Sequence, residues 1–146
     1  VHAAVDAPCD ATRLFSLIDD LAIYPSWIEL VHGASVDTPD RDGPAWRVEL
    51  RARIGPLARS KRLRMVRTEH RPADGTVVFE RRETDGRQHA PWILRAAVTP
   101  GPDGSGSTVQ MHLHYGGALW TGGVLERALS EQISSGSERL AALASA

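Results

Sequence analysis

Two histidines alternate in the segment VQMHLHYGGALW, at positions 112 and 114. Alternating residues of a strand share one face of a sheet, so His112 and His114 could supply two ligands to one metal ion. A hairpin turning around 102–106 places Arg95 opposite His112, which is a poor neighbour for a cation, and His89 is expected several residues from either histidine. The pattern therefore favours two solvent-facing histidines on the outer sheet face, with no metal site and no cofactor.

Charged side chains near strand ends are the other candidates for chemistry. The alternation of the segment 58–70 slips near Leu63–Val66, which indicates a bulge there and leaves two alternatives open, in which either Arg62 and Arg64 or Lys61 and Arg67 turn inward. In the segment 76–83, Arg81 and Glu83 share the face of Phe79, so one of them could also turn inward. The candidates are Lys61, Arg62, Arg64, Arg67, Arg81 and Glu83. A buried arginine beside an aromatic ring could hold a ketone or enolate oxygen, whereas a strand-end arginine in solvent would do no chemistry.

No residue is assigned a catalytic role from the sequence. Cys9 precedes a helix, but no histidine has a reason to approach it, and no Ser-His-Asp arrangement is arguable. The glycine pairs at 116–117 and 122–123 lack the lysine and spacing of a phosphate-binding loop. They are interpreted as a corner where the chain leaves the sheet, with Trp120 between them as a candidate gate or partner contact.

Composition places the chain among ordinary globular proteins. It has 146 residues, of which 42% are hydrophobic and 24% charged, and its single cysteine excludes an internal disulfide. No apolar run approaches the ~20 residues that span a bilayer, and no secretory leader is visible. We therefore expect a cytoplasmic protein without a membrane span. Residues 47–95 hold thirteen bases and six acids; these are interpreted as solvent-facing strand positions, so no nucleic-acid partner is expected.

Hydrophobic periodicity predicts an α+β fold in the order β-α-α-β-β-β-β-β-α, as one domain over residues 1–146. A first strand ending in proline suits a sheet edge, Asp10 can cap the next helix, and Pro25 ends the second. Alternation then predicts five strands, at 45–54, 58–70, 76–83, 89–99 and 108–115.

A long C-terminal helix follows, with an apolar stripe formed by Leu125, Leu129, Ile133, Gly136, Leu140 and Leu143. An antiparallel sheet has one apolar face that must be covered, and only this helix is long enough to cover it. A curved sheet wrapped around one helix leaves a gap, which predicts a ligand cavity. The expected cavity residues are Tyr24, Trp27, Trp46, Leu50, Phe79, Trp92, Met111, Tyr115, Leu125, Leu129 and Gln132.

The chain resembles the START-like, or SRPBCC, superfamily, which includes polyketide cyclases/dehydrases. The resemblance is carried by VDAPCDATRLFSLIDDLAIYPSWI, by the DGR hairpin with Trp92, and by HYGGALW before the final helix. It implies a helix-grip fold, with a curved antiparallel sheet wrapped around a long C-terminal helix and a hydrophobic cavity between them. The last segment is similar to small actinobacterial members, one group of which is described as toxins of toxin–antitoxin pairs.

Three functions follow as expectations. The first is non-covalent binding of a hydrophobic small molecule, such as a lipid, polyketide or aromatic compound, by a monomer or homodimer. The second is a polyketide cyclase/aromatase, which needs a desolvated ionisable group in the cavity. The third is a toxin-like interaction protein, which is favoured if the cavity is too small for any ligand.

Overall fold

The structure is a computed structural model that describes residues 1–54, 56–102, 106–116 and 124–145. Its strands are β1 (His2–Ala7), β2 (Val31–Asp40), β3 (Gly43–Ile54), β4 (Leu57–Arg71), β5 (Thr76–Arg81), β6 (Trp92–Pro100) and β7 (Ser107–Tyr115). Its helices are α1 (Ala11–Ile18), a 3-10 helix (Leu21–Ser26) and α2 (Val124–Ser145).

The strands form one antiparallel sheet in the order β1-β7-β6-β5-β4-β3-β2. The predicted α+β class is confirmed, and β1 lies at a sheet edge as its proline suggested. The order contains one strand more than the sequence indicated, because β2 was not recognised. β2 forms the opposite edge, includes Gly33 and Pro39, and buries only Val31. Because an edge strand tolerates proline and needs no buried face, β2 carries no clear alternation.

The slipped alternation predicts a bulge in β4 near Leu63–Val66, but the pairing is regular there and the shift lies further along the strand. Its pairing with β5 shifts register between Arg67 and Glu69, beyond the Leu63–Val66 segment. The following turn depends on Gly75, whose φ is +68°, because a Cβ there would lie 2.5 Å from the Val98 carbonyl oxygen. The bulge and the turn together set the pairing of β4 with β5.

Helix α1 covers part of the inner sheet face. The Asp10 carboxylate accepts a hydrogen bond from the Arg13 backbone N–H at 2.8 Å and so caps its N-terminus, as the sequence predicted. The helix buries four apolar side chains: Leu14, Phe15, Leu17 and Ile18. The core therefore lies between the sheet and the helices, and the chain between α1 and β2 runs over it.

Helix α2 packs against β1, α1 and the end of the 3-10 helix. Its Leu140 is fully buried, and the Arg139 guanidinium lies 3.0 Å from the Glu29 carboxylate. At Gly136 the helix approaches so closely that a Cβ would lie 2.4 Å from the Trp27 carbonyl oxygen. No helix within the described ranges is long and apolar enough to cross a membrane.

Candidate functional site

A cavity of about 100 Å³ lies beneath the inner face of the sheet. Strands β1, β3, β4, β6 and β7 form one wall, and Leu21, Tyr24, Trp27, Ile28 and Leu30 form much of the facing wall. Every described side chain on these walls is apolar or aromatic. An engineered apolar cavity of about 150 Å³ is dry and binds benzene, so this space is of the size of one small ring or a short aliphatic chain.

The position of the cavity differs in one respect from the prediction. The sequence placed it between the sheet and the C-terminal helix, whereas its described wall opposite the sheet comes from the 3-10 helix and the turn that follows. Helix α2 stands behind that wall, where Gly136 meets the backbone of Trp27. Within the described residues, Trp27 thus lies between α2 and the cavity.

Five of the eleven predicted cavity residues line this space: Tyr24, Trp27, Leu50, Trp92 and Met111. Trp46 and Phe79 belong instead to the solid core, where their rings meet edge to face at 5.6 Å between centroids. Sequence periodicity placed them on the correct face, but it could not separate a packed position from an open one. Leu21 and Ile28 were missed because they belong to a short irregular segment without a strong period.

The remaining predicted residues either contact residues that line the cavity or lie outside the described residues. Tyr115 pairs with Trp92 across the sheet, with 5.4 Å between ring centroids. Gln132 accepts a hydrogen bond from the Leu30 backbone N–H and so joins α2 to the segment that lines the cavity. The side chains of Leu125 and Leu129 lie outside the described residues, as do Trp120 and the glycines at 117, 122 and 123.

Tyr24 faces the cavity but is held in a structural hydrogen bond. Its hydroxyl donates to the Ile18 carbonyl oxygen at 2.8 Å. Burial, and then the nearby Asp19 carboxylate, raise the pKa of the Tyr24 phenol far above its ordinary value. A phenol that stays protonated and already donates a hydrogen bond is poorly suited to proton transfer. Tyr24 therefore contributes its ring to the cavity wall.

Register settles which charged residues of β4 and β5 face the interior. Lys61 pairs with Leu50, Arg67 with Phe79 and Arg81 with Met65, so all three share the inner face. Of the two alternatives that the sequence left open in β4, the pair Lys61 and Arg67 is therefore the inward one. Arg67 is used structurally, because its guanidinium donates to the Asp19 carbonyl oxygen at 3.0 Å and lies 5.9 Å from the Trp46 ring centroid.

Lys61 lies beside Trp92 at one end of the cavity, and Arg81 is a charged neighbour of Lys61. The Lys61 ammonium is 6.0 Å from the centroid of the Trp92 ring, and Trp92 is a cavity wall. Partial burial lowers the pKa of the Lys61 ammonium, the neighbouring Arg81 guanidinium lowers it further, and Glu83 opposes both. The side chain of Arg81 is only 9% exposed, and its Nε lies 3.9 Å from the Glu83 carboxylate. The two cations and the Glu83 carboxylate therefore lie close together near one end of the apolar cavity.

Arg62 and Arg64 lie on the outer face, but Arg64 is nevertheless buried. Its side chain is 6% exposed, with Nε 3.1 Å from Asp37 and Nη1 3.4 Å from Asp40. It also donates to the Thr38 carbonyl oxygen at 3.0 Å. Arg64 therefore ties edge strand β2 to β4, and the sequence could not show this because β2 itself was not recognised.

The two histidines that raised the question of a metal are exposed on the outer sheet face. His112 pairs with Arg95 in β6, as the sequence predicted, and its ring stacks on His2 with 4.1 Å between centroids. Desolvation, and then the nearby His2, lower the pKa of His112. Within the part of the chain that the structure describes, no cluster of three His, Cys, Asp or Glu residues is arranged to hold a metal ion.

The amino-acid sequence that forms this sheet, helix and apolar cavity matches a protein-family model. The model is described as polyketide cyclase / dehydrase and lipid transport, and it matches residues 1–145. The chain belongs to this family. The resemblance predicted from the sequence, to START-like proteins of the polyketide cyclase/dehydrase type, is thereby confirmed. A comparison with curated proteins found no match.

Solved structures similar to this member of the polyketide cyclase/dehydrase and lipid transport family share its fold. A START superfamily protein from Mycobacterium smegmatis is 18% identical with a TM-score of 0.70, over 97% of this chain and 94% of that chain. A protein from Thermus thermophilus is 15% identical with a TM-score of 0.69, over 99% and 95%. The di-domain ARO/CYC StfQ of the steffimycin biosynthetic pathway is 11% identical with a TM-score of 0.65, over 97% and 44%.

Proposed function

We propose that this protein binds a small hydrophobic molecule without forming a covalent bond, in the cavity between the sheet and the 3-10 helix. The observation that carries the proposal is the apolar lining of about 100 Å³ of open space. Interiors are ordinarily packed to crystal density, so an open space of this size is a departure from close packing. Burial of apolar ligand surface at about 25 cal/mol per Å² supplies the affinity.

The size of the cavity limits what enters it. Pockets for drug-sized ligands measure roughly 300–1,000 Å³, several times the space bounded by the described residues. A single ring or a short acyl chain fits this size better than a long folded chain. Membership of a family described as polyketide cyclase / dehydrase and lipid transport is consistent with such a ligand.

A cyclase-type enzyme is the second candidate, and one observation favours it. Lys61 and Arg81 are ionisable groups on the inner sheet face, which a cyclase would need near its substrate. Against it, the cavity is small for a poly-β-ketone, and Tyr24 is committed to a structural hydrogen bond. A role as a toxin-like interaction protein stays a prediction. A neighbouring gene that encodes an antitoxin would support it.

Native mass spectrometry of the protein purified from its own host tests the proposal first. We expect a co-purifying small molecule that is released by organic solvent. A matched pair of variants then locates it: Ala3 lines the cavity and the adjacent Ala4 is exposed, so Ala3→Ile fills the cavity and Ala4→Ile does not. We expect Ala3→Ile to lose the bound molecule and Ala4→Ile to keep it. Equal retention by both variants would show that the molecule binds elsewhere.

A further inference from the structure

The Trp92 end of the cavity differs chemically from the rest of it. Lys61 continues the row of β4 side chains that line the cavity, two residues before Leu63 on the same face, and its pairing partner Leu50 is also a wall. Its ammonium lies beside the ring of Trp92. A cation thus lies beside a wall residue at one end of an otherwise apolar space.

Hydrogen-bond donors are in excess at this end. Arg81 donates from Nη1 to the Ala90 carbonyl oxygen at 3.3 Å, but within the described residues its buried Nε–H meets no acceptor. The indole N–H of Trp92 is likewise buried and meets no acceptor there. Glu83 is the nearby acid, and one of its oxygens already accepts the Arg64 backbone N–H at 2.6 Å. Both N–H groups are enclosed by protein atoms, so they add positive potential at this end and do not contact a ligand directly.

We propose that the Trp92 end of the cavity recognises an acidic headgroup, so that the ligand class is a small carboxylic acid with an apolar tail. Lys61 forms the ion pair with the carboxylate, and the buried guanidinium of Arg81 adds positive charge nearby. The inference rests on the proposed function, because the tail occupies the cavity described above. With two cations and one acid, this end has a net positive charge that an uncharged lipid would leave uncompensated.

The sequence provides separate reporters for the tail and for the headgroup. Lys61 is the one lysine of the chain, so labelling lysine with carbon-13 at Cε gives one lysine signal. The chain has two methionines, Met65 and Met111, and both line the cavity. A nuclear magnetic resonance titration can therefore follow the two ends of the site in one sample.

The test compares hexanoate with 1-hexanol, which share a six-carbon chain and differ in charge. We expect both to shift the methionine methyl signals, and hexanoate to bind at least tenfold more tightly and to shift the Lys61 signal as well. A charge-assisted hydrogen bond is worth about 1.5–3 kcal/mol, which corresponds to roughly a 10- to 100-fold change in affinity. Lys61→Met should remove the preference for hexanoate over hexanol, while Lys61→Arg should keep most of the preference.

Arg62→Met is the matched control, since Arg62 neighbours Lys61 but lies on the outer face with its side chain 87% exposed. It should leave both affinities as in the wild type. Equal binding of the two ligands, or a preference that survives Lys61→Met, would overturn the headgroup assignment and leave the proposed function standing. A Lys61 shift without methionine shifts would also overturn it, as surface ion pairing. Failure of both ligands to shift the methionine signals would count against the proposed function itself.

Discussion

The contact between Gly136 of α2 and the backbone of Trp27 fixes the wall of the cavity from behind. A Cβ at position 136 would lie 2.4 Å from the Trp27 carbonyl oxygen and 3.5 Å from its carbonyl carbon. The opposing atom is backbone, so it cannot swing aside as a flexible side chain would. For Gly136→Ala the helix and the cavity wall must therefore move apart by about 1 Å to restore ordinary van der Waals contact.

Two opposing effects determine the result of Gly136→Ala. Alanine is favoured over glycine in a helix interior by about 1 kcal/mol, whereas overpacking a tight contact costs about 1–3 kcal/mol. Because the clash here is with backbone, we take the upper end and expect a net loss of about 2 kcal/mol in the free energy of unfolding. For a chain of this length the loss corresponds to a decrease of roughly 4–8 °C in Tm.

Thermal unfolding followed by circular dichroism measures this change, and an exposed position of the same helix supplies the control. Glu138 is exposed, so replacing it by alanine and by glycine isolates the helix preference. There we expect the alanine variant to unfold roughly 2–4 °C above the glycine variant. At position 136 the order should be reversed. If Gly136→Ala is as stable as the wild type or more so, α2 does not pack closely on Trp27 and the cavity wall is wrongly described.

Two further predictions concern buried polar groups. Tyr24→Phe loses the hydrogen bond to the Ile18 carbonyl and should reduce stability by about 1–2 kcal/mol in denaturant unfolding without weakening the binding of hexanol; weaker binding would show a role for the hydroxyl in the site. Arg64→Met should cost about 1–3 kcal/mol at neutral pH, because the carbonyls of Thr38 and Arg82 lose a buried donor. A hydrogen bond from the Thr38 backbone, followed by Arg64, holds the pKa of Asp37 below its ordinary value although desolvation opposes them. The contribution of the Arg64–Asp37 pair is therefore present above about pH 4 and is lost as pH falls towards the lowered pKa, whereas the hydrogen bonds to the two carbonyls do not titrate. The wild type should therefore lose stability in acid more steeply than Arg64→Met, and parallel acid profiles would contradict the pairing.

Most of the sheet could be predicted because apolar and polar residues alternate along its strands. In β3 the residues Trp46, Val48 and Leu50 are buried as the pattern indicated, and the β6–β7 register follows from one hairpin. Edge strand β2 was missed because it buries almost nothing. Because β2 was not recognised, the burial of Arg64 could not be predicted either, since it depends on Asp37 and Asp40 of β2.

The presence of an apolar cavity could be predicted from the sequence, but the residues that bound it could not. Alternation identifies the residues on the inner face, yet Phe79 is packed while Met111 borders open space, and this difference depends on how the 3-10 helix lies across the sheet. The slipped alternation of β4 left two assignments of its basic residues open for a similar reason. Only pairing with Leu50 places Lys61 on the inner face.

Binding of a small hydrophobic molecule in the cavity is tested by titrating the wild-type protein, labelled with carbon-13 at the methionine methyl groups, with 1-hexanol. Met65 and Met111 lie on different strands and both border the cavity, so the two signals should shift together, saturate, and give the same Kd. If both signals stay in place up to the solubility limit of hexanol, the space beneath the sheet is not a binding site.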